Sequence, residues 1–279
     1  MKFFLIILLF VINSFSSALD MAAKAYQNKD YETAIKYWRP LAQIGDPTSQ
    51  YNFGKMYLKG EGIKQNYIKA AELFKSSANQ ENQLAQYALG TMYYNGIGVK
   101  KNHKKAFILY KKSAKQGNQF AQYNLALAHQ YGKNLDQNIQ QAIYWYEKSA
   151  KSGNAKAQLN LGQIYIKTDL EENHNKAYKL FNKAALSQIK AQKNLGICYE
   201  KGIGVEKNNK KAIYWYKKAA DNGDAQAQNI LAAHYENGKL TKQNKPLAYK
   251  YWTKSVKLGN LQAKNNLDNL CKNSPWACR

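Results

Sequence analysis

Ser187 stands three residues ahead of Lys190. On one turn of helix that spacing lets a lysine draw the proton from a serine hydroxyl that attacks a β-lactam carbonyl. The partner motifs Ser-Asp-Asn and Lys-Thr-Gly occur nowhere in the chain. With twelve serines, and lysine at about one residue in seven, a chance match is expected. The pair also falls where a turn between helices is predicted. The four histidines, His103, His129, His174 and His234, have no Cys or carboxylate at a ligand spacing, so no metal site is read. His103 and His174 adjoin predicted helix starts and read as solvated; His129 and His234 lie in apolar helical patterns and read as packing positions. The acidic stretch "DLEEN", Asp169 to Asn173, reads as a solvated loop, and no paired-carboxylate site emerges. Cys198 falls on an apolar helix face and reads as a small buried hydrophobe.

One more pattern invites chemistry. "YYNGIGVKKNHKKA" from Tyr93 and "YEKGIGVEKNNKKA" from Tyr199 carry a Gly-x-Gly that could cradle a phosphate, and "YLKGEGIKQNYIKA" from Tyr57 is a weaker copy. A dinucleotide-binding turn follows a strand and needs a third glycine. Lys101 and Lys207 stand where that glycine would be, and a helix pattern precedes each loop. Gly96 and Gly202 fit the left-handed position that closes a helix, while Gly98 and Gly204 let the chain reverse. Val99 and Val205 then turn inward. The loop is a corner.

Corners that recur imply elements that recur. Ser49, Ala85, Ala121, Ala157, Ala191, Ala227 and Ala263 form a ladder whose steps are 36 residues, except Ala157 to Ala191, which is 34. Four residues past each rung comes Phe53, Leu89, Leu125, Leu161, Leu195 or Leu231; the next is Gly or Ala; eight past is an aromatic, with His129 the exception. These offsets share one helical face. A second column, Ala34, Ala70, Ala106, Ala142, Ala177, Ala212 and Ala248, is followed three and four residues later by bulky pairs such as Trp145-Tyr146 and Tyr251-Trp252. That is the stripe of a second helix. Four residues before each of those alanines stands Asp30, Asn66, Asn102, Asn138, Asn173, Asn208 or Asn244, a column of N-caps each contributing about 1 kcal/mol.

The unit A-x3-LG-x2-Y-x2-G-x-GV, then N/D-x3-A-x2-[WL]-Y-x2-[SA]A-x2-G, resembles the Sel1-like repeat, a relative of the tetratricopeptide repeat. Six such units cover residues 49–262. Residues 19–48 resemble a tetratricopeptide-like first repeat, and 263–279 resemble a capping helix with a tail. The fourth unit has "GKNL" and the fifth "KTDL" in place of Gly-x-Gly-Val, so their corners are expected to differ. The fold implied is an all-α, right-handed α-solenoid of antiparallel helix pairs. The resemblance also implies a non-catalytic adaptor for a protein or peptide partner, without cofactor. Some cysteine-rich relatives are described as binding or hydrolysing β-lactams, which makes that activity the alternative; their cysteine pairs in successive repeats are absent here.

In the tetratricopeptide superhelix the first-helix face opposite the packing offsets lines a concave groove. Here it presents Tyr51, Tyr87 and Tyr123 two past the rungs, Leu58 and Tyr94 nine past, and Leu84 and Phe120 one before. Large side chains with little entropy to lose suit peptide capture. The competing reading packs the same tyrosines between helices. Toward the C-terminus the face turns polar.

Residues 1–18 read as a signal peptide: Lys2, the ten-residue apolar run Phe3 to Ile12, then small residues Ser16 and Ala18 before the expected cut. An uncleaved anchor is the alternative, although a spanning helix needs about 20 residues. The protein is thus expected in the periplasm or outside the cell, with no transmembrane segment in the mature chain. Such a compartment permits disulfides, and Cys271 and Cys278 in the tail are expected to pair. The net charge of +24 comes almost wholly from lysine, the arginines being Arg39 and Arg279. Arg-poor basicity and export argue against nucleic acid; a weak attraction to anionic envelope polymers remains, one that about 0.5 M salt screens.

Overall fold

The structure, a computed structural model, describes residues 16–132, 135–168 and 170–278. Every regular element among them is helical. The chain divides into two compact units inside one helix, after Trp145. The first unit contains α1 (16–27), α2 (Tyr31–Gln43), α3 (Pro47–Lys59), α4 (Tyr67–Asn79), α5 (Gln83–Asn95), α6 (His103–Lys115), α7 (Gln119–Tyr131) and the start of α8 (Ile139–Lys151). The second continues from α8 through α9 (Ala155–Tyr165), α10 (Glu171–Ala184), α11 (Ile189–Lys201), α12 (Asn209–Asp221), α13 (Ala225–Asn237), α14 (Lys245–Lys257) and α15 (Leu261–Asn273), and closes with a 3₁₀ turn, Pro275–Cys278. From α2 to α7, and again from α9 to α15, each helix packs on the next. The apolar run Phe3 to Ile12 lies outside the described residues; α1 packs Leu19, Ala22 and Ala25 against the core around Trp38 and Phe53.

The helices begin where side-chain acceptors stand. Asp30, Asn66, Asn102, Asn138, Asn208 and Asn244 each accept the backbone N–H three residues on. The column breaks at Asn173. That residue lies within α10, whose N-cap is Leu170 with no side-chain bond. The shortened corner before it starts the helix early, so Glu171 and Glu172 fill the first turn instead of a loop, where carboxylates suit the helix dipole. A second cap column went unread in the sequence: Asp46, Asn82, Asn118, Asn154, Asp224 and Asn260 start the first helices in the same way. The corner glycines adopt the left-handed region, with Gly96 at φ 75°, Gly202 at 74°, Gly98 at 66° and Gly204 at 65°.

Packing follows the two small-residue columns. Ser49, Ala85, Ala121, Ala157, Ala191, Ala227 and Ala263 are fully buried, as are Ala34, Ala70, Ala106, Ala142, Ala177, Ala212 and Ala248. One position past the rungs runs a glutamine column, also unread. Gln50, Gln86, Gln122, Gln158, Gln192 and Gln228 are buried, and each amide donates to a carbonyl at the end of the preceding helix. These bonds satisfy carbonyls that a helix end leaves open, each contributing about 1 kcal/mol net. A disulfide joins Cys271 of α15 to Cys278 of the closing turn. Cys198 is free and fully buried, and burial pushes its thiol up to about 12, so it stays protonated and inert as a nucleophile.

Candidate binding face

The residues read as groove lining lie on α3, α5 and α7 of the first unit. Tyr51 is half-buried with its ring 5.7 Å from Phe74 of α4. Tyr87 lies 5.8 Å from Tyr110 of α6 and 5.9 Å from Phe120 of α7. Tyr87 thus bridges one repeat to the next, with Phe120 52% exposed beside it. Tyr123 is half-buried on α7, Leu58 packs against the core around Phe74 and Leu89, and Leu84 in the first turn of α5 is 44% exposed. Packing and exposure are therefore shared. The rings lean on the second helices and leave an edge outside.

Tyr94 does something different. It walls a cavity of about 360 Å³ between α5 and α7, whose floor is Phe107 and Tyr110 of α6. Thr91, Asn95, Asn124 and Tyr131 complete it. The Tyr110 hydroxyl donates to Thr91 Oγ1 at 3.2 Å, and burial pushes it up to about 12, so it stays a neutral donor. Sequence reading named residues only at two and nine past and one before the rungs, whereas Thr91 stands six past its rung, Asn95 and Tyr131 ten past and Asn124 three past. On α7 the cavity is lined by Asn124, Leu127, Ala128 and Tyr131, three, six, seven and ten past Ala121.

A few of the lysines have a structural use. Lys69, Lys105, Lys176 and Lys211, each just ahead of a buried alanine, lie 5.3–5.9 Å from the rings of Tyr57, Tyr93, Tyr165 and Tyr199. Each such cation–π contact contributes about 0.5–1 kcal/mol.

The second unit has no equivalent aromatic row. At the offset that carries Tyr51 and Tyr87, Leu159 and Asn229 are buried, and Asn229 accepts from Trp252 Nε1 at 2.9 Å. Its most polar buried group is a trio: the Tyr216 hydroxyl donates to Glu200 at 2.6 Å, and His234 Nε2 lies 3.5 Å from the same carboxylate. Burial lowers the His234 pKa from 6.5, with Glu200 partly opposing. The unfolded chain therefore binds the proton first as pH falls, and stability present above about pH 6.5 is lost on acidification below it. Urea melts at pH 7.5 and 5.5 are expected to show this loss, with a smaller loss in His234→Gln; an equal loss in the variant would sink the assignment.

The remaining candidates scatter. Ser187 and Lys190 are exposed at the turn into α11. His103 and His174 are half-buried and not wholly solvated: His103 sits edge-on to Tyr94 at 4.8 Å, and His174 Nε2 bonds the Thr168 carbonyl at 2.7 Å. Among the described residues no three His, Cys, Asp or Glu side chains come together as a metal site, and no helix is long and apolar enough to cross a membrane.

A chain whose described residues form paired helices, each packed on the next within both units, is a helical-repeat solenoid protein. A family model described as Sel1 repeat matches residues 24–46, 47–82, 83–118, 119–154, 155–188, 189–224 and 225–260, so the chain belongs to the Sel1 repeat family. A solved Sel1 repeat protein from Oxalobacter formigenes is similar at 27% identity and TM-score 0.72, over 86% of this chain and 99% of that one. So is c5321, a protective antigen of uropathogenic Escherichia coli with an SLR fold, at 29% identity and TM-score 0.62, over 93% of this chain and 65% of that one. Sel1 repeat solenoids are typically non-catalytic scaffolds for protein–protein contact.

Proposed function

We propose that this chain is an exported, non-catalytic scaffold that holds a protein or peptide partner along α3, α5 and α7. The observation that carries it is the half-exposed row Tyr51, Tyr87 and Phe120, continued by Tyr94 at the mouth of a cavity. Rings already fixed by a second helix lose little entropy on binding, and a neutral hydroxyl at the cavity floor supplies orientation. The leader-like residues 1–18 support action in the periplasm or outside the cell, within envelope or host-interaction processes. Lysine-borne attraction to anionic envelope polymers is a background that salt removes.

A photo-crosslinker at Tyr131, which lines the cavity beside the row and is 58% exposed, is expected to trap a discrete partner in intact cells. The Tyr51→Ala/Tyr87→Ala/Tyr123→Ala protein is expected to lose at least about tenfold of that capture while keeping its helical circular dichroism. Because Tyr51 and Tyr87 also pack inward, Leu84→Glu/Phe120→Glu is the companion variant; both residues are exposed and their loss spares the core. Capture undiminished in both variants, or abolished equally by about 0.5 M salt in the parent, would reject the face.

A further inference from the structure

A second cavity, on the other side of α6, is larger than the one Tyr94 walls. It has a volume of about 880 Å³ and lies between α6 and α8, bounded by Leu135 of the corner. Small-molecule sites span about 300–1,000 Å³, so its size suits a compact ligand. The floor is apolar: Phe107, Leu125 and Trp145 belong to the buried core and turn an edge toward it. At the mouth, α6 presents Lys104, Ile108 and Lys111 on one stripe, the two cations flanking an isoleucine that is 51% exposed. His103 and His129 line the walls, and among the described residues no carboxylate lines the cavity. Asp136, nearby in the corner, offers His129 Nδ1 its backbone carbonyl at 3.3 Å.

At the regular corners the second glycine presses on the first turn of the preceding second helix. A Cβ on Gly98 would fall 2.3 Å from the Tyr67 carbonyl oxygen, one on Gly204 2.1 Å from that of His174, and one on Gly62 2.3 Å from Tyr31 Cβ. In the fourth repeat the corresponding residue is Asn134, which lies outside the described residues. A glycine's approach is closed to a residue with a side chain. The cavity opens beside one of the two repeats whose corner departs from Gly-x-Gly-Val. Nδ1 of His103 is buried without a hydrogen-bond partner, so turning that ring toward a ligand breaks no bond there.

We propose that the cavity between α6 and α8 is a binding site for a monocarboxylate of medium chain length, its apolar body against Phe107, Leu125 and Trp145 and its carboxylate at the Lys104–Lys111 mouth. Charge complementarity selects the anion: cations stand at the rim of an apolar cavity with no acid among its lining. This site shares no residue with the proposed partner row on α3, α5 and α7, apart from Phe107, which backs both cavities.

The test is calorimetric titration of the full chain with octanoate in about 0.15 M salt, where exposed charges are largely screened. One-to-one saturable binding is expected, with the neutral octanamide about tenfold weaker or more, since a charged hydrogen bond is worth about 1.5–3 kcal/mol. Lys104→Glu/Lys111→Glu and, separately, Ile108→Asp are each expected to weaken octanoate about tenfold. All three side chains are exposed and their replacement leaves the core intact. The triple tyrosine variant is expected to bind octanoate as the parent does, which separates this site from the partner face. The proposal is overturned by absence of saturable binding at millimolar octanoate, by octanamide binding as tightly, or by affinity unchanged in both rim variants.

Discussion

Gly204→Ala is expected to destabilise the second unit by roughly 2–5 kcal/mol, far more than an exposed loop substitution normally does. Gly204 sits at φ 65°, and a Cβ there meets the His174 carbonyl oxygen at 2.1 Å, its carbon at 2.5 Å and Asn175 N at 2.8 Å. All three are backbone atoms at the start of α10, so no change of rotamer relieves the contact. Left-handed strain alone accounts for about 1–2 kcal/mol; moving the corner off α10 supplies the rest. Gly223→Ala is the control: φ is 90° but nothing lies within 4 Å, so only the strain remains. Urea midpoints for the two variants, with hydrogen exchange over α10 and α11, separate the terms. Equal losses would show that the corner does not bear on the helix.

Trp252→Ala is expected to cost about 3–5 kcal/mol and to expose α14 and α15 before the rest of the second unit opens. The Trp252 side chain is among the largest fully buried in the protein, and its Nε1 donates to Asn229 Oδ1 at 2.9 Å. The same oxygen accepts from Asn266 Nδ2 at 3.0 Å, so one acceptor on α13 ties α14 and α15 together. Trp252→Phe keeps most of the ring volume and leaves Asn229 bonded to Asn266; its loss is expected to be less than half as large. In a stack where each helix leans on its neighbours, damage near an end spreads outward first. Exchange protection of α15 that survives Trp252→Ala would contradict this.

The recurrence of Ala, Leu, aromatic and Asn positions was enough to determine that helices form in pairs, where the second helix of most pairs starts, and that Gly-x-Gly is a corner and no phosphate loop. These are local matters: helical periodicity, a cap three residues from its donor, a glycine with positive φ, each decided within a few residues of chain. The tail disulfide was legible for the same reason, seven residues separating Cys271 from Cys278. Asn173 failed because the corner before it is one residue shorter than in the other units and the helix starts early at Glu171, which the spacing to the next alanine could not register. The glutamine column was present at every rung yet unread, since a buried amide announces itself only through the carbonyl it meets on another helix.

Tertiary structure alone decided which side of each tyrosine is wet. Tyr51 and Asn229 occupy the same offset two past a rung, yet one leaves a ring edge outside while the other is sealed beneath Trp252. The difference lies in the partner that each helix receives from the next hairpin, an aromatic that stops short or an indole that reaches across. Likewise no motif marks the cavities on either side of α6; they arise where Phe107 separates two spaces that neighbouring helices fail to fill. A single chain of letters encodes periodicity along a helix, whereas accessibility is a property of the gap between helices, and only their packing sets its width.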